Sequence, residues 1–178
     1  MSDFSSPVFG EVNYSFRQDI DQLPAAGLEA LFYNAWAEGV TAIVWNQYTP
    51  YFNDGETCVF GASCEGAYSI QDLSERDIQN APAWDIEDEE DEDEDGNIIT
   101  SVTWLSSDEY TYVRKATAKG YDYERVEIEQ TRESRAASAV KNAINAGNYN
   151  VVLLKNFGDH AKVVATPNGF YVEYFEHE

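Results

Sequence analysis

Nine consecutive carboxylates cannot be buried in a protein core, and this chain carries such a run near its middle. Asp85 and Ile86 are followed by Glu87, Asp88, Glu89, Glu90, Asp91, Glu92, Asp93, Glu94 and Asp95 without interruption. Neighbouring like charges repel, and a segment with one apolar residue cannot offset the entropy of ordering by burying surface. The run is therefore expected to be a disordered acidic loop, an insert over residues 85–96 in a single domain of residues 1–178.

The charge is not confined to the insert. Residues 1–84 hold 12 Asp and Glu against Arg17 and Arg76, a net of −10, the insert adds −10, and residues 96–178 hold −2. Acidity thus belongs to the folded body as well. A net charge of −22 argues against nucleic acid or an anionic membrane as a direct partner, because phosphate binding is driven by Lys and Arg displacing counterions. The natural counterpart is a basic protein surface, above all that of a nucleic-acid-binding protein.

With 43% apolar and 14% aromatic residues, 178 residues suffice for a substantial core. No apolar run approaches the roughly 18 to 20 residues of a membrane span, and Met1-Ser2-Asp3-Phe4 lacks the regions of a signal peptide. A cytoplasmic location is expected. Cys58 and Cys64 then read as two reduced thiols. Zinc held by both with His160 and His177 is arithmetically open, but the C-x5-C spacing matches no common ligand pair, and no cofactor is expected.

Periodicity places the elements. Residues 8–16 alternate as a half-buried strand. In residues 24–38, Leu28, Leu31, Phe32, Ala35 and Trp36 form one helical stripe, with Pro24 suited to the first turn and Gly39 to the position past the end. Residues 40–47 read as a buried strand ended by Pro50. Asn53-Asp54-Gly55 then reverses the chain, which returns through residues 57–60, while residues 61–83 read as irregular.

Trp45-Asn46-Gln47-Tyr48-Thr49-Pro50-Tyr51-Phe52-Asn53-Asp54-Gly55, with Cys58-Val59-Phe60, and the later Phe157-Gly158-Asp159-His160-Ala161-Lys162-Val163 together resemble small proteins of bacteriophages and bacteria. The insert lies outside the resemblance. What it implies is a phage-type setting, hence a host cytoplasm, and nothing about catalysis.

Beyond the insert, residues 97–105 have strand composition. Ser107-Asp108-Glu109 offers a helix start and Lys115, Lys119 and Gly120 an end, so residues 108–119 read as helix, with a tyrosine-rich strand at residues 110–113 as the alternative. Residues 121–129 alternate as a strand with an acidic face and a slip near Arg125, read as a bulge. Thr131 caps a helix running to Gly147, residues 151–154 form a short strand, and Pro167-Asn168-Gly169 joins a terminal hairpin, its Asn-Gly taking the positive φ of such turns. Strands and helices without a repeating βαβ order indicate an α+β fold with a mainly antiparallel sheet.

Three chemistries compete. Asp91, Asp93 and Asp95 before Gly96 match the first half of a calcium loop, but Val102 stands where the bidentate glutamate belongs, which leaves a divalent-cation-binding acidic protein as one alternative. A small hydrolase or nucleotide-handling enzyme would draw on the aromatic turn (Tyr48, Tyr51, Phe52) and His160, although no nucleophile elbow, H-E-x-x-H helix or phosphate loop is present. The third is imitation of nucleic acid: an extended chain advances about 3.3 Å per residue, close to the ~3.4 Å between phosphates along a strand. On that reading the chain is not an enzyme but a DNA-mimic-type inhibitor. It binds through Asp54, Glu56, Glu65 and Asp72 on the body together with Asp85 and the run, while Tyr48, Tyr51 and Phe52 form a candidate aromatic surface.

Deleting residues 87–95 is expected to leave a cooperative thermal transition. A broad, non-cooperative melt would show that the run is integral to the domain.

Overall fold

The computed structural model describes residues 4–10, 20–51, 58–70, 90–92, 98–100, 102–105, 110–117 and 120–176. In chain order the first elements are β1 (Val8–Phe9), α1 (Ala25–Ala37), β2 (Ala42–Tyr48), β3 (Gly61–Ile70), β4 (Glu90–Glu92), β5 (Ile98–Thr100) and β6 (Val102–Trp104). There follow β7 (Tyr110–Thr117), β8 (Gly120–Glu127), α2 (Arg132–Asn145), α3 (Asn150–Phe157), β9 (Ala161–Thr166) and β10 (Gly169–Tyr174). Six strands join in one sheet in the order β1-β10-β9-β2-β3-β6, with β1 parallel to β10 and every other pair antiparallel. The fold is α+β. No helix among the described residues is long and apolar enough to cross a membrane.

The best-formed elements carry their own punctuation. Pro24, extended at φ −70° and ψ 150°, precedes α1, and Gly39 takes φ 101° just beyond it. Thr131 caps α2 by accepting the Ser134 N–H at 3.1 Å, which satisfies one of the donors a helix start leaves free. Strand periodicity then sends alternate side chains of β2 to opposite faces. Ile43 and Trp45 meet Leu28 and Phe32 of α1, Val140 and Ile144 of α2, and Leu153 and Phe157 of α3 in one apolar cluster. Trp45 packs edge-on to Phe157 at 5.4 Å between centroids, and Phe157 lies 5.1 Å from Phe170. Each large side chain so enclosed contributes on the order of 1.5 to 3 kcal/mol.

One polar group sits inside this cluster. Gln47 has no exposed surface, and its side-chain oxygen accepts the Trp45 indole N–H at 2.9 Å. Its side-chain nitrogen donates to the carbonyls of Leu153, at 3.2 Å, and Gly158. The middle strand is thereby tied to the end of α3.

Four elements differ from the expectations of sequence. Within the span 108–119 read first as helix, the described residues take the alternative, a strand: Tyr110–Thr117 pairs in continuous antiparallel register with Gly120–Glu127, because the β-favouring tyrosines, Thr111 and Val113 outweigh the cap signal and Gly120, at φ 134°, serves a hairpin instead of a helix end. The ladder runs unbroken through Tyr112↔Arg125, so there is no bulge there. Residues 151–154 are helical, within α3, since a short apolar run enclosed on most sides has the same pattern in either conformation. The return strand is Gly61–Ile70, in a stretch read as irregular. Its Gly, Ala, Ser and Cys have weak strand propensity but let the alanine-rich α2 approach closely.

Smaller differences follow the same logic. Trp45 pairs with Cys64 and Val44 with Gly66, so a bulge leaves Glu65 outside the register, and the Cys64 N–H is taken by Asn145 Oδ1 at 2.8 Å. In the terminal hairpin the positive φ falls on Gly169 rather than Asn168, Pro167 having fixed a negative φ at the turn's first position. The strand expected over residues 97–105 splits: Ile98–Thr100 pairs with Glu90–Glu92, and Val102–Trp104 joins β3. The central acids of the insert are thus an extended ladder strand and not a disordered loop, because pairing joins main-chain groups that side-chain charge does not remove. Expectations for residues 11–16, for 52–57 with the turn at Asn53-Asp54-Gly55, for 71–83 and for the rest of the insert lie outside the described residues.

Replacing Gln47 by Leu would leave an indole N–H and two carbonyls buried without their partner, at about 1–3 kcal/mol each where no water reaches them. The Gln47→Leu protein is expected to melt on the order of 10 °C lower. Differential scanning calorimetry checks this, and an unchanged melting temperature would refute the structural role.

Candidate functional site

Beyond Gln47 three distant segments converge at one end of the sheet. Strand β2 runs out through Tyr48 and Thr49 to Tyr51. Helix α3 ends at Gly158, whose φ of 83° is costly for any residue with a Cβ. His160 follows with φ 54°, the one non-glycine residue with positive φ among those described. The end of β10 closes the group, with the Phe175 N–H donating to the His160 carbonyl at 2.7 Å.

Asp159 holds the segments together. Its carboxylate is 8% exposed, and Oδ1 accepts the Thr49 N–H at 2.7 Å and the His160 N–H at 2.9 Å. The contact with Thr49 spans 110 positions in sequence. The His160 ring stacks on Tyr51 at 4.6 Å and 17°, with Tyr174 at 6.2 Å and Tyr48 at 6.3 Å. Tyr48 in turn lies against Phe175 at 5.7 Å. Tyr51 is 71% exposed, and a side-chain hydrogen bond with Tyr174 that favours the neutral phenol holds its hydroxyl above the ordinary tyrosine range, with desolvation and nearby negative charge acting the same way.

The aromatic turn and His160 are therefore neighbours, but the geometry is that of a recognition patch more than of an acid–base centre. His160 Nε2 lies 3.9 Å from Asp159 Oδ1, beyond hydrogen-bond reach, and that oxygen already serves two backbone donors. Nδ1 is buried, with no hydrogen-bond partner among the described residues. Neither ring nitrogen meets a hydroxyl or thiol among them, so no activated nucleophile is assembled there. Elsewhere, an open cleft of ≈ 320 Å³ between the end of α1 and the start of α2 is lined by Asn34, Glu38, Arg132, Arg135, Ala136 and Ala139, too open to exclude water.

Of the other candidates, Tyr48 is half-buried and Tyr51 stands outside, so the aromatic turn is partly packing and partly surface. Glu65 is exposed at the β3 bulge, and Glu90, Asp91 and Glu92 form β4. Phe52, Asp54, Glu56, Asp72, Asp85, Glu87, Asp88, Glu89, Asp93, Glu94 and Asp95 lie outside the described residues. Sequence reading missed Tyr174 and Phe175 as neighbours of His160. The signal was available, since a hairpin beginning at His160 must bring its far end back beside its start.

Both cysteines are free thiols. Cys64 points to the Val44 carbonyl at 3.4 Å, and burial pushes its pKa up to about 12, so it is a neutral, unreactive thiol at ordinary pH. Among the described residues no group of three or more His, Cys, Asp or Glu could hold a metal ion. Comparison with protein-family profiles, with curated protein sequences and with solved structures finds no match.

The Cys64 thiol is expected to resist iodoacetamide at about pH 8 in the native protein and to react in guanidinium. Its folded pKa is raised, so the stability it contributes is complete below the ordinary value of 9.0 and is lost as pH rises toward about 12. Mass spectrometry of alkylated peptides checks the first statement, and denaturant titrations of wild type and Cys64→Ala across that window check the second.

Proposed function

We propose that this chain is a non-enzymatic acidic interaction protein, acting as a DNA-mimic-type inhibitor of a basic nucleic-acid-binding protein, with a host defence factor as its target in a phage-type setting. The observation that carries this reading is the direction of the carboxylates. Among described side chains, Asp159 is the one buried acid, and on the body Asp21, Glu65, Glu129, Glu173 and Glu176 are exposed. Carboxylates fixed on a rigid scaffold lose little entropy when they meet arginines and lysines. Charges in the insert extend the attractive field and chiefly accelerate encounter. The extended backbone of β4, within the run, supports a linear array of charge.

The alternative of a small nucleotide-handling protein draws on one specific observation, the exposed Tyr51 and Tyr174 rings beside His160. The Asp159 carboxylate next to them disfavours a phosphate.

A pull-down from host lysate identifies the partner, and calorimetry then measures its affinity between about 50 mM and about 500 mM salt, a range across which screening changes strongly. Affinity is expected to fall by at least about tenfold. Neutralising Asp54, Glu56, Glu65 and Asp72 to Asn or Gln should speed dissociation, and neutralising residues 87–95 should mainly slow association. Affinity indifferent to salt, and lost in Tyr51→Ala, would instead place the interface on the aromatic patch.

A further inference from the structure

The β7–β8 ribbon stands apart from the rest of the fold in pairing and in charge. It forms its own two-stranded sheet, and every described side chain in it is exposed. An isolated two-stranded ribbon is marginal in water without a layer against one face. Over residues 110–127 the cations Arg114, Lys115, Lys119 and Arg125 outnumber Asp122, Glu124 and Glu127, giving +1 on a chain whose remainder carries −23.

The register sorts these residues onto two faces. Tyr112 opposes Arg125, Arg114 opposes Tyr123, and Ala116 opposes Tyr121, so three tyrosines and two arginines share one face, with Glu127 at its base. Tyr112, Tyr121 and Tyr123 are 59%, 62% and 61% exposed. The Arg114 guanidinium lies 3.4 Å above the centre of the Tyr121 ring, which holds it flat and presents its outer edge. The other face carries Val113, Val126, the Lys115–Glu124 ion pair and Asp122, a net of −1, so the cationic side of the strands is the Tyr–Arg face. Exposed Tyr and Arg side by side are what well-packed interface centres are made of, and a guanidinium fork fits a carboxylate in two hydrogen bonds.

We propose that the Tyr–Arg face of this ribbon docks on the acidic body of a second copy of the chain, forming a weak reciprocal dimer. Charge complementarity selects the occupant, because each copy offers one cationic aromatic arm and one strongly anionic body. A two-fold arrangement uses both arms at once and closes on itself. Eight residues per strand and two strands give a face on the order of 250 Å². Two arms docked reciprocally bury on the order of 1,000 Å² over both partners, the low end of specific association, so the dimer forms in the micromolar range. Single-stranded nucleic acid also favours aromatic and arginine side chains, but the −23 of the rest of the chain repels phosphate.

Sedimentation velocity on the full chain tests this at about 150 mM salt, where body-to-body repulsion is screened beyond about 8 Å while contact pairs persist. Wild type is expected to pass from monomer to dimer between about 1 µM and about 300 µM. The variants Arg114→Gln/Arg125→Gln and Tyr121→Ser/Tyr123→Ser should each weaken the dimer by at least about tenfold, with melting curves like wild type because the main sheet is untouched. A wild-type chain that stays monomeric throughout, or a dimer unaffected by both variants, overturns the proposal. So does a fluorescein-labelled single-stranded oligonucleotide that binds monomeric wild type and is lost in the arginine variant, since it would make nucleic acid the occupant.

Discussion

A single fully buried carboxamide governs how the two halves of this structure meet. Gln47 on the middle strand satisfies the Trp45 indole and two carbonyls of the α3 segment, Leu153 within the helix and Gly158 at its end. Apolar packing is non-directional, and several ways of laying a helix on a sheet would bury comparable area. The side-chain amide selects one, because any shift of α3 leaves a buried donor or acceptor unpaired. Once the helix end is fixed, Gly158 can turn, Asp159 reaches the Thr49 N–H, and His160 falls beneath Tyr51. The aromatic patch is thus a consequence of the core.

The protein folds with −22 because the acids and the core occupy different places. The apolar cluster lies between the sheet and the three helices, and nearly all described carboxylates face outward, where solvent and salt screen their repulsion over about 8 Å. Asp159 is buried at the cost of desolvation and is offset by two backbone donors. The ribbon of β7 and β8 reverses the pattern, with tyrosines outside and cations in excess. An acidic body and a cationic arm on one chain give it two surfaces of opposite preference.

Local chemistry was sufficient wherever a segment carried its own start, stop and period. Helix α1 lies between Pro24 and Gly39, α2 begins at the Thr131 cap, β2 ends before Pro50, and the terminal hairpin turns at Pro167-Asn168. It failed where signals conflicted. Ser107-Asp108-Glu109 looks like a helix start, yet the tyrosines that follow pair with a second strand. Gly61–Ile70 is too small-residued to announce a strand, and its smallness suits it to lie under α2.

The amino-acid sequence by itself therefore determined the α+β class, the outward placement of nearly all the described acids and those elements whose caps and turns lie within a few residues of them. It could not decide whether residues 150–157 were helix or strand, since an apolar run enclosed by neighbours has the same pattern in either conformation. Nor could it join Tyr48 and Tyr51 to His160 and Tyr174, because that neighbourhood depends on a hydrogen bond across 110 residues, donated by the Thr49 N–H to Asp159, which exists only once the chain has closed. Tertiary structure decided both: the space around a side chain, not its sequence neighbours, sets which conformation buries it and which distant groups it meets.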